Sequence, residues 1–145
     1  MISYKTAVLL VEDSPDDERL TLRGVATSGV SCDVSVIRHG GQVVAALFEP
    51  RGLTPDLIVL DFHLPGMNGL EILQELRRHK KTRHIPVVML SSLGSDGDIA
   101  RCLAAGANSY VQKPLDPRLF MERVGLIVQY WINVDKRPAA SLLFA

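Results

Sequence analysis

Four consecutive apolar residues, Leu57-Ile58-Val59-Leu60, stop abruptly at Asp61 and a turn sequence, Phe62-His63-Leu64-Pro65-Gly66. An apolar run this short, with Pro55 before it and Pro65-Gly66 after it, predicts a strand buried on both faces. Both faces are covered when helices pack on each side of a parallel sheet, and ligands then collect at the carboxyl ends of the strands. Asp61 lies at such an end and is the candidate reactive centre. An aspartate is equally an ordinary turn residue, so the other strand ends have to decide between the two.

The remaining chain supplies those strands. Ala7-Val8-Leu9-Leu10-Val11 is a first apolar run, and Ser14-Pro15 with the acids Asp16, Asp17 and Glu18 predicts a helix start, from N-cap, first-turn proline and helix dipole together. Val34, Val36 and Ile37 mark a second strand, and Val43 to Phe48 a short helix. Beyond the third strand, Leu70, Ile72, Leu73 and Leu76 follow helical spacing to Arg77, and Val87 to Leu90 form a fourth strand. A helix over Asp98 to Ala105 stops at Gly106, Tyr110-Val111 is a fifth strand, and a last helix runs from Pro117 to about Val134. Strands alternating with helices predict a doubly wound α/β fold with a five-stranded parallel sheet and helices on both faces.

With 145 residues and sixteen basic residues balancing sixteen acidic ones, the chain reads as one globular domain without a polyanion as its main partner. Its apolar runs fall short of the roughly 20 residues that span a bilayer, and its polar start lacks the pattern of a signal peptide, so a cytoplasmic location is expected. Cys32 and Cys102 have no paired spacing and read as reduced thiols. The basic stretch Arg77 to His84 reads as a solvated helix end, not a nucleic-acid surface, since it has neither interleaved aromatics nor a recognition helix.

Parallel strands bring the residues after each of them to one edge of the sheet. The first offers Glu12-Asp13, the third Asp61, the fourth Ser91 and the fifth Lys113. Converging carboxylates repel unless a cation neutralises them, and magnesium, which prefers a few hard oxygens, fits. Acids, metal, lysine and hydroxyl suit a transferring phosphoryl group, with Asp61 as the nucleophile that forms an acyl phosphate. Each residue alone has an ordinary structural explanation; jointly the types fall at the right ends of the right strands.

Val11-Glu12-Asp13-Ser14, Leu60-Asp61 through Met67-Asn68-Gly69, Leu90-Ser91-Ser92, Gly106-Ala107 and Tyr110-Val111-Gln112-Lys113-Pro114 resemble the receiver domains of two-component response regulators. The resemblance, which covers about Ala7 to Tyr130, implies a flavodoxin-like sheet of order 2-1-3-4-5. The receiver domain is expected at 1–134, with a tail at 135–145 that is a candidate dimer arm. The resemblance also implies that Asp61 accepts a phosphoryl group from a histidine kinase, and that Glu12, Asp13, Asp61 and the backbone carbonyl of His63 bind magnesium. Ser91 would contact the phosphoryl oxygen, Tyr110 would act with it as an aromatic switch, and Lys113 would bridge to the acyl phosphate. Such a protein is a phosphoacceptor that promotes its own phosphorylation and dephosphorylation rather than an enzyme acting on other molecules. The Lys113-Pro114 bond is expected to be cis, and His63 departs from the commoner Asn or Met two residues past the acceptor.

The Glu-Asp-Ser-Pro start and Tyr130-Trp131 resemble the subgroup that serves phytochrome-type kinases. The last helix carries more apolar residues than one stripe needs, which predicts either a homodimer through Ile127, Tyr130, Trp131 and Val134 or a cover over the helix end from the tail Ser141 to Ala145, with the homodimer preferred. Two rivals are a pseudo-receiver that binds partners without phosphorylation and an aspartate-nucleophile phosphatase. The second needs an acid two residues past the nucleophile, where His63 stands.

Overall fold

The structure is a computed structural model and describes residues 5–92 and 94–137. Five parallel strands, β1 (Thr6–Val11), β2 (Cys32–Ile37), β3 (Leu57–Leu60), β4 (Val87–Ser91) and β5 (Ser109–Gln112), form one sheet of order β2-β1-β3-β4-β5. Between and after them run α1 (Pro15–Thr27), α2 (Val43–Phe48), α3 (Gly69–Arg78), α4 (Asp96–Ala104) and α5 (Pro117–Val128). Architecture and strand order are those expected.

The alternation of side chains along a strand divides the core in two. Leu9 and Val11 of β1, Ile58 and Leu60 of β3, and Val87 and Met89 of β4 meet Leu47 of α2, Ile72, Leu73 and Leu76 of α3, and Cys102 of α4. Val8, Leu10, Leu57, Val59, Val88 and Leu90 meet Val25 of α1 and Phe120, Val124, Ile127 and Val128 of α5 on the other face. This is why β1, β3 and β4 are apolar at successive positions.

Every helix that leaves a strand end near the candidate site has a local start signal. Ser14 accepts from the Asp17 N–H to open α1. Asn68 with Glu71 and Ser95 with Asp98 form reciprocal capping boxes for α3 and α4. Asp116 caps α5, with Pro117 in its first turn. The Ser95 cap explains why α4 begins at Asp96, two residues before the expected start. Gly24 lets α1 close on α5, since a Cβ there would lie 2.8 Å from the Met121 carbonyl oxygen.

The last helix reaches Val134 as expected, with a wider π-helical winding from Gln129 that is closed by the Asp135 N–H to the Tyr130 carbonyl at 2.7 Å. Two expectations need correction. Arg77 is not a solvated cation. Its guanidinium donates to the carbonyls of Gly106 at 2.9 Å, Ile85 at 2.8 Å and Arg83 at 3.3 Å and to Asn108 Oδ1 at 2.9 Å, stitching α3 to the turns before β4 and β5. No peptide bond is cis among the described residues, so Lys113-Pro114 is trans, the form that X-Pro bonds ordinarily prefer. Cys32 and Cys102 are free, the second fully buried. Among the described residues no helix is long and apolar enough to cross a membrane.

Candidate phosphoryl-transfer site

Strand register builds the site. Val11 pairs with Leu60 across β1 and β3, so Glu12 and Asp61, each one residue further, emerge side by side. The Asp61 N–H donates to the Val11 carbonyl at 3.0 Å and the Glu12 N–H to the Ile37 carbonyl at 3.0 Å, which holds both residues to the sheet past the last paired position. Ser91 pairs with Gln112, and the Lys113 N–H donates to the Ser91 carbonyl at 2.9 Å, so the lysine enters from the opposite side of β3.

Four residues at this edge are polar and buried: Glu12 at 1% exposure, Asp61 at 7%, Ser91 at 0% and Lys113 at 6%. Lys113 Nζ donates to Glu12 Oε2 at 2.6 Å, Asp17 Oδ2 at 2.9 Å and Asp61 Oδ2 at 3.2 Å. The other Asp61 oxygen, Oδ1, accepts from the His63 N–H at 3.3 Å. Asp13 is exposed at the mouth, and one oxygen each from Glu12, Asp13 and Asp61 lie within 4.8 Å of one another.

Three carboxylates face one ammonium, and burial acts on both signs of charge. Burial, reinforced by the neighbouring Asp61 charge and opposed by the Lys113 hydrogen bond, pushes the Glu12 carboxyl up from 4.5 to about 7. Burial works against the Lys113 ammonium, but the Glu12 hydrogen bond and the Asp61 and Glu12 charges outweigh it and raise its pKa. One cation therefore does not compensate the acids. Three hard carboxylate oxygens at this spacing, two of them on buried residues, fit a small divalent cation.

Tyr110 is half-buried and hydrogen-bonded to the Ser91 side chain, and burial raises its pKa despite that bond. A Cβ at Gly94 would overlap the Tyr110 hydroxyl, so the start of the loop into α4 rests on this ring. A Cβ at Gly69 would overlap the Asp61 carbonyl oxygen, so α3 begins hard against the turn that carries the acid. The exposed His63 ring packs edgewise on Phe62, with centroids 5.0 Å apart.

Glu12, Asp13, Asp61, Ser91, Tyr110 and Lys113, all singled out from sequence, thus lie at one edge. Asp17 was missed as a partner of Lys113. Its signal was its place at the third helical position after the Ser14 N-cap, in the first turn of the helix that follows Glu12-Asp13. At the other end of α5 the four expected contact residues divide. Ile127 is 7% exposed and belongs to the core, a correction imposed by the α5 face that meets the sheet. Trp131 is half-buried, edge-on to Tyr130 at 5.0 Å with the Arg137 guanidinium 5.6 Å from its ring centroid. Tyr130 and Val134 are exposed, as is Leu126. Residues 138–145, which carry most of the expected dimer arm, lie outside the described residues.

Comparison with known proteins agrees with this geometry. Residues 8–125 match the family model of the response regulator receiver domain. The response regulator Rcp1 of Synechocystis sp. is 31% identical over 140 residues, covering 92% of this chain and 93% of Rcp1. The phosphorylated cyanobacterial phytochrome response regulator RcpA superposes with a TM-score of 0.88 at 30% identity, over 94% of this chain and all of RcpA. The Mn(2+)-bound form of Rcp1 superposes with a TM-score of 0.86 at 29% identity, over 92% of this chain and 99% of that one. The chain spans just over half the length of the DNA-binding regulators that it also matches.

Proposed function

The chain belongs to the response regulator receiver domain family, and from that premise we propose that Asp61 accepts a phosphoryl group from a sensor histidine kinase in a magnesium-dependent reaction. An Asp61 carboxylate oxygen forms the new O–P bond in line as the P–N bond of the donor phosphohistidine breaks. The donor imidazole leaves neutral once it takes a proton, and Asp61 becomes an acyl phosphate. The observation that carries this reading is the Lys113 ammonium 3.2 Å from Asp61 Oδ2, in the same cluster as Glu12 and Asp13.

Glu12, Asp13 and Asp61, with the His63 backbone carbonyl, would hold magnesium. When bound, that ion neutralises charge on the phosphoryl oxygens. Lys113 turns from the Asp61 carboxylate to the phosphoryl oxygens, and the Ser91 hydroxyl offers them a second donor. The hydroxyl has to leave its bond with Tyr110 or share it, so the state of Asp61 reaches the Tyr110 ring and, through Gly94, the start of α4.

Output runs through protein contact. The receiver domain occupies 1–134 and pairs with a second copy through the exposed side of its last helical segment, at Leu126, Tyr130 and Val134, with the tail at 135–145 as an arm. The cognate kinase is of the phytochrome type, a reading supported by the likeness to Rcp1 and RcpA. The protein works as a cytoplasmic phosphoacceptor.

Intact-mass measurement after treatment with acetyl phosphate and magnesium tests this. Wild type gains one phosphoryl group and Asp61→Asn gains none. No gain by wild type overturns the reading in favour of a pseudo-receiver, and equal gain by the variant overturns Asp61 as the acceptor. Steady turnover of a phosphate ester would instead favour the phosphatase.

A further inference from the structure

The proposed transfer uses Lys113, its two buried carboxylate partners and Asp13, and leaves one ion pair without a task. Asp17 Oδ2 lies 2.9 Å from Lys113 Nζ, yet Asp17 is outside the carboxylate cluster that suits a cation. Its side chain is 29% exposed while that of Lys113 is 4% exposed, so this acid reaches inward from the surface to a buried ammonium. The backbone around it is fixed at both ends. Its N–H donates to Ser14 Oγ at 3.3 Å, and the Thr21 hydroxyl donates to its carbonyl at 2.7 Å.

An ammonium has three N–H donors, and here Glu12, Asp17 and Asp61 take one each. Two of these acceptors must share their charge with a divalent cation, and Asp61 itself is consumed by phosphorylation. Asp17 undergoes neither change. We propose that Asp17 is a positioning residue that keeps Lys113 tethered to α1 and sets how the ammonium charge divides between the metal-binding acids and the phosphoryl group. The inference rests on the phosphoacceptor reading above and deepens it.

Its electrostatic signature has two opposite parts. The Asp17 charge offsets the repulsion between Lys113 and a divalent cation, so it favours the cation. The same charge draws the ammonium away from the phosphoryl oxygens and repels them, so it disfavours that group. Removing it therefore weakens magnesium and tightens the phosphoryl group, each by roughly tenfold at low salt, a range set by unit charges a few ångströms apart in a partly solvated site. A loss of packing or stability would weaken both together.

The experiment compares full-length wild type with Asp17→Asn, Asp17→Glu and Asp16→Asn. Calorimetry gives the magnesium affinity, and titration with beryllofluoride at saturating magnesium gives the affinity for a phosphoryl mimic. Asp16 is exposed and paired with Arg19, so Asp16→Asn makes the same change of net charge without touching Lys113. Asp17→Asn is expected to move the two constants in opposite directions, with Asp17→Glu returning both toward wild type and Asp16→Asn leaving both within about twofold. Constants that move together, stay within twofold, or shift equally in Asp16→Asn overturn the inference. Wild type that neither binds beryllofluoride nor gains mass from acetyl phosphate overturns the phosphoacceptor reading itself, and the inference with it.

Discussion

Lys113→Met keeps most of the side-chain stem and removes its charge. In the metal-free protein the ammonium holds together three carboxylates at 2.6, 2.9 and 3.2 Å. Removing one member of a buried ion pair costs about 3–5 kcal/mol, because the remaining charges are left in a poorly solvated place. The partly solvated Asp17 adds little to that figure. At about 2–4 °C per kcal/mol for a domain of this size, the metal-free variant melts on the order of 10 °C below wild type. Magnesium reverses the order of effects. Lysine and the divalent ion compete for the same oxygens, so the variant gains more from added magnesium than wild type does, and each tenfold in affinity adds about 1.4 kcal/mol.

The pH dependence carries a definite sign. Glu12 has a pKa of about 7 in the folded metal-free protein against 4.5 ordinarily, so the unfolded chain gives up this proton first as pH rises. This group's contribution is therefore present in full below pH 4.5 and is lost as pH rises toward 7, with a plateau above. Without the Lys113 charge the folded value rises further, and the decline extends to higher pH. Thermal melts of both proteins from pH 4.5 to 8.5, with and without magnesium, test the argument. Equal melting temperatures without metal, together with an equal rise on adding it, would refute it.

Two further outcomes follow from other parts of the molecule. Arg77→Ala orphans the Gly106 and Ile85 carbonyls and is expected to lower stability in urea by about 3 kcal/mol or more. Arg77→Lys recovers only part, because an ammonium lacks the planar fork; a loss below 1 kcal/mol for Arg77→Ala would contradict the stitching role. In light scattering, the full chain is expected at dimer mass and Tyr130→Ser with Val134→Ser at monomer mass, whereas Ile127→Ala lowers stability by about 2–4 kcal/mol through the core. Monomer mass for the full chain would remove the dimer.

Much of the site was legible before any coordinates, because its residues come at the ends of short apolar runs. Glu12-Asp13, Asp61, Ser91 and Lys113 each terminate a strand, and a parallel sheet aligns such ends whatever the loops between them do. The metal-like cluster was legible for the same reason. Asp17 was not, since its pattern is also that of a first-turn acid serving only the helix dipole. Nor was the inward role of Arg77, because a basic helix end looks the same in sequence whether its cations face water or carbonyls.

By itself, then, the sequence determined the strands, their order of succession, most helix starts and which polar residues gather at one edge of the sheet. These depend on local signals: short continuous apolar runs for the buried strands, period-3.6 apolar patterns for the helices, N-caps and turn residues. Only the tertiary structure decided which face of α5 is spent on the core, so that Ile127 is buried while Leu126 is not. It also decided where the last helical segment widens, that Lys113-Pro114 is trans, and which acids meet on Lys113. Asp17 and Lys113 are 96 residues apart, and their meeting depends on α1 and α5 packing on one face of the sheet closely enough for Gly24 to be required. Asp61 became the centre of the site through that packing, since burial gives the surrounding charges their strength and packing selects which charges surround it.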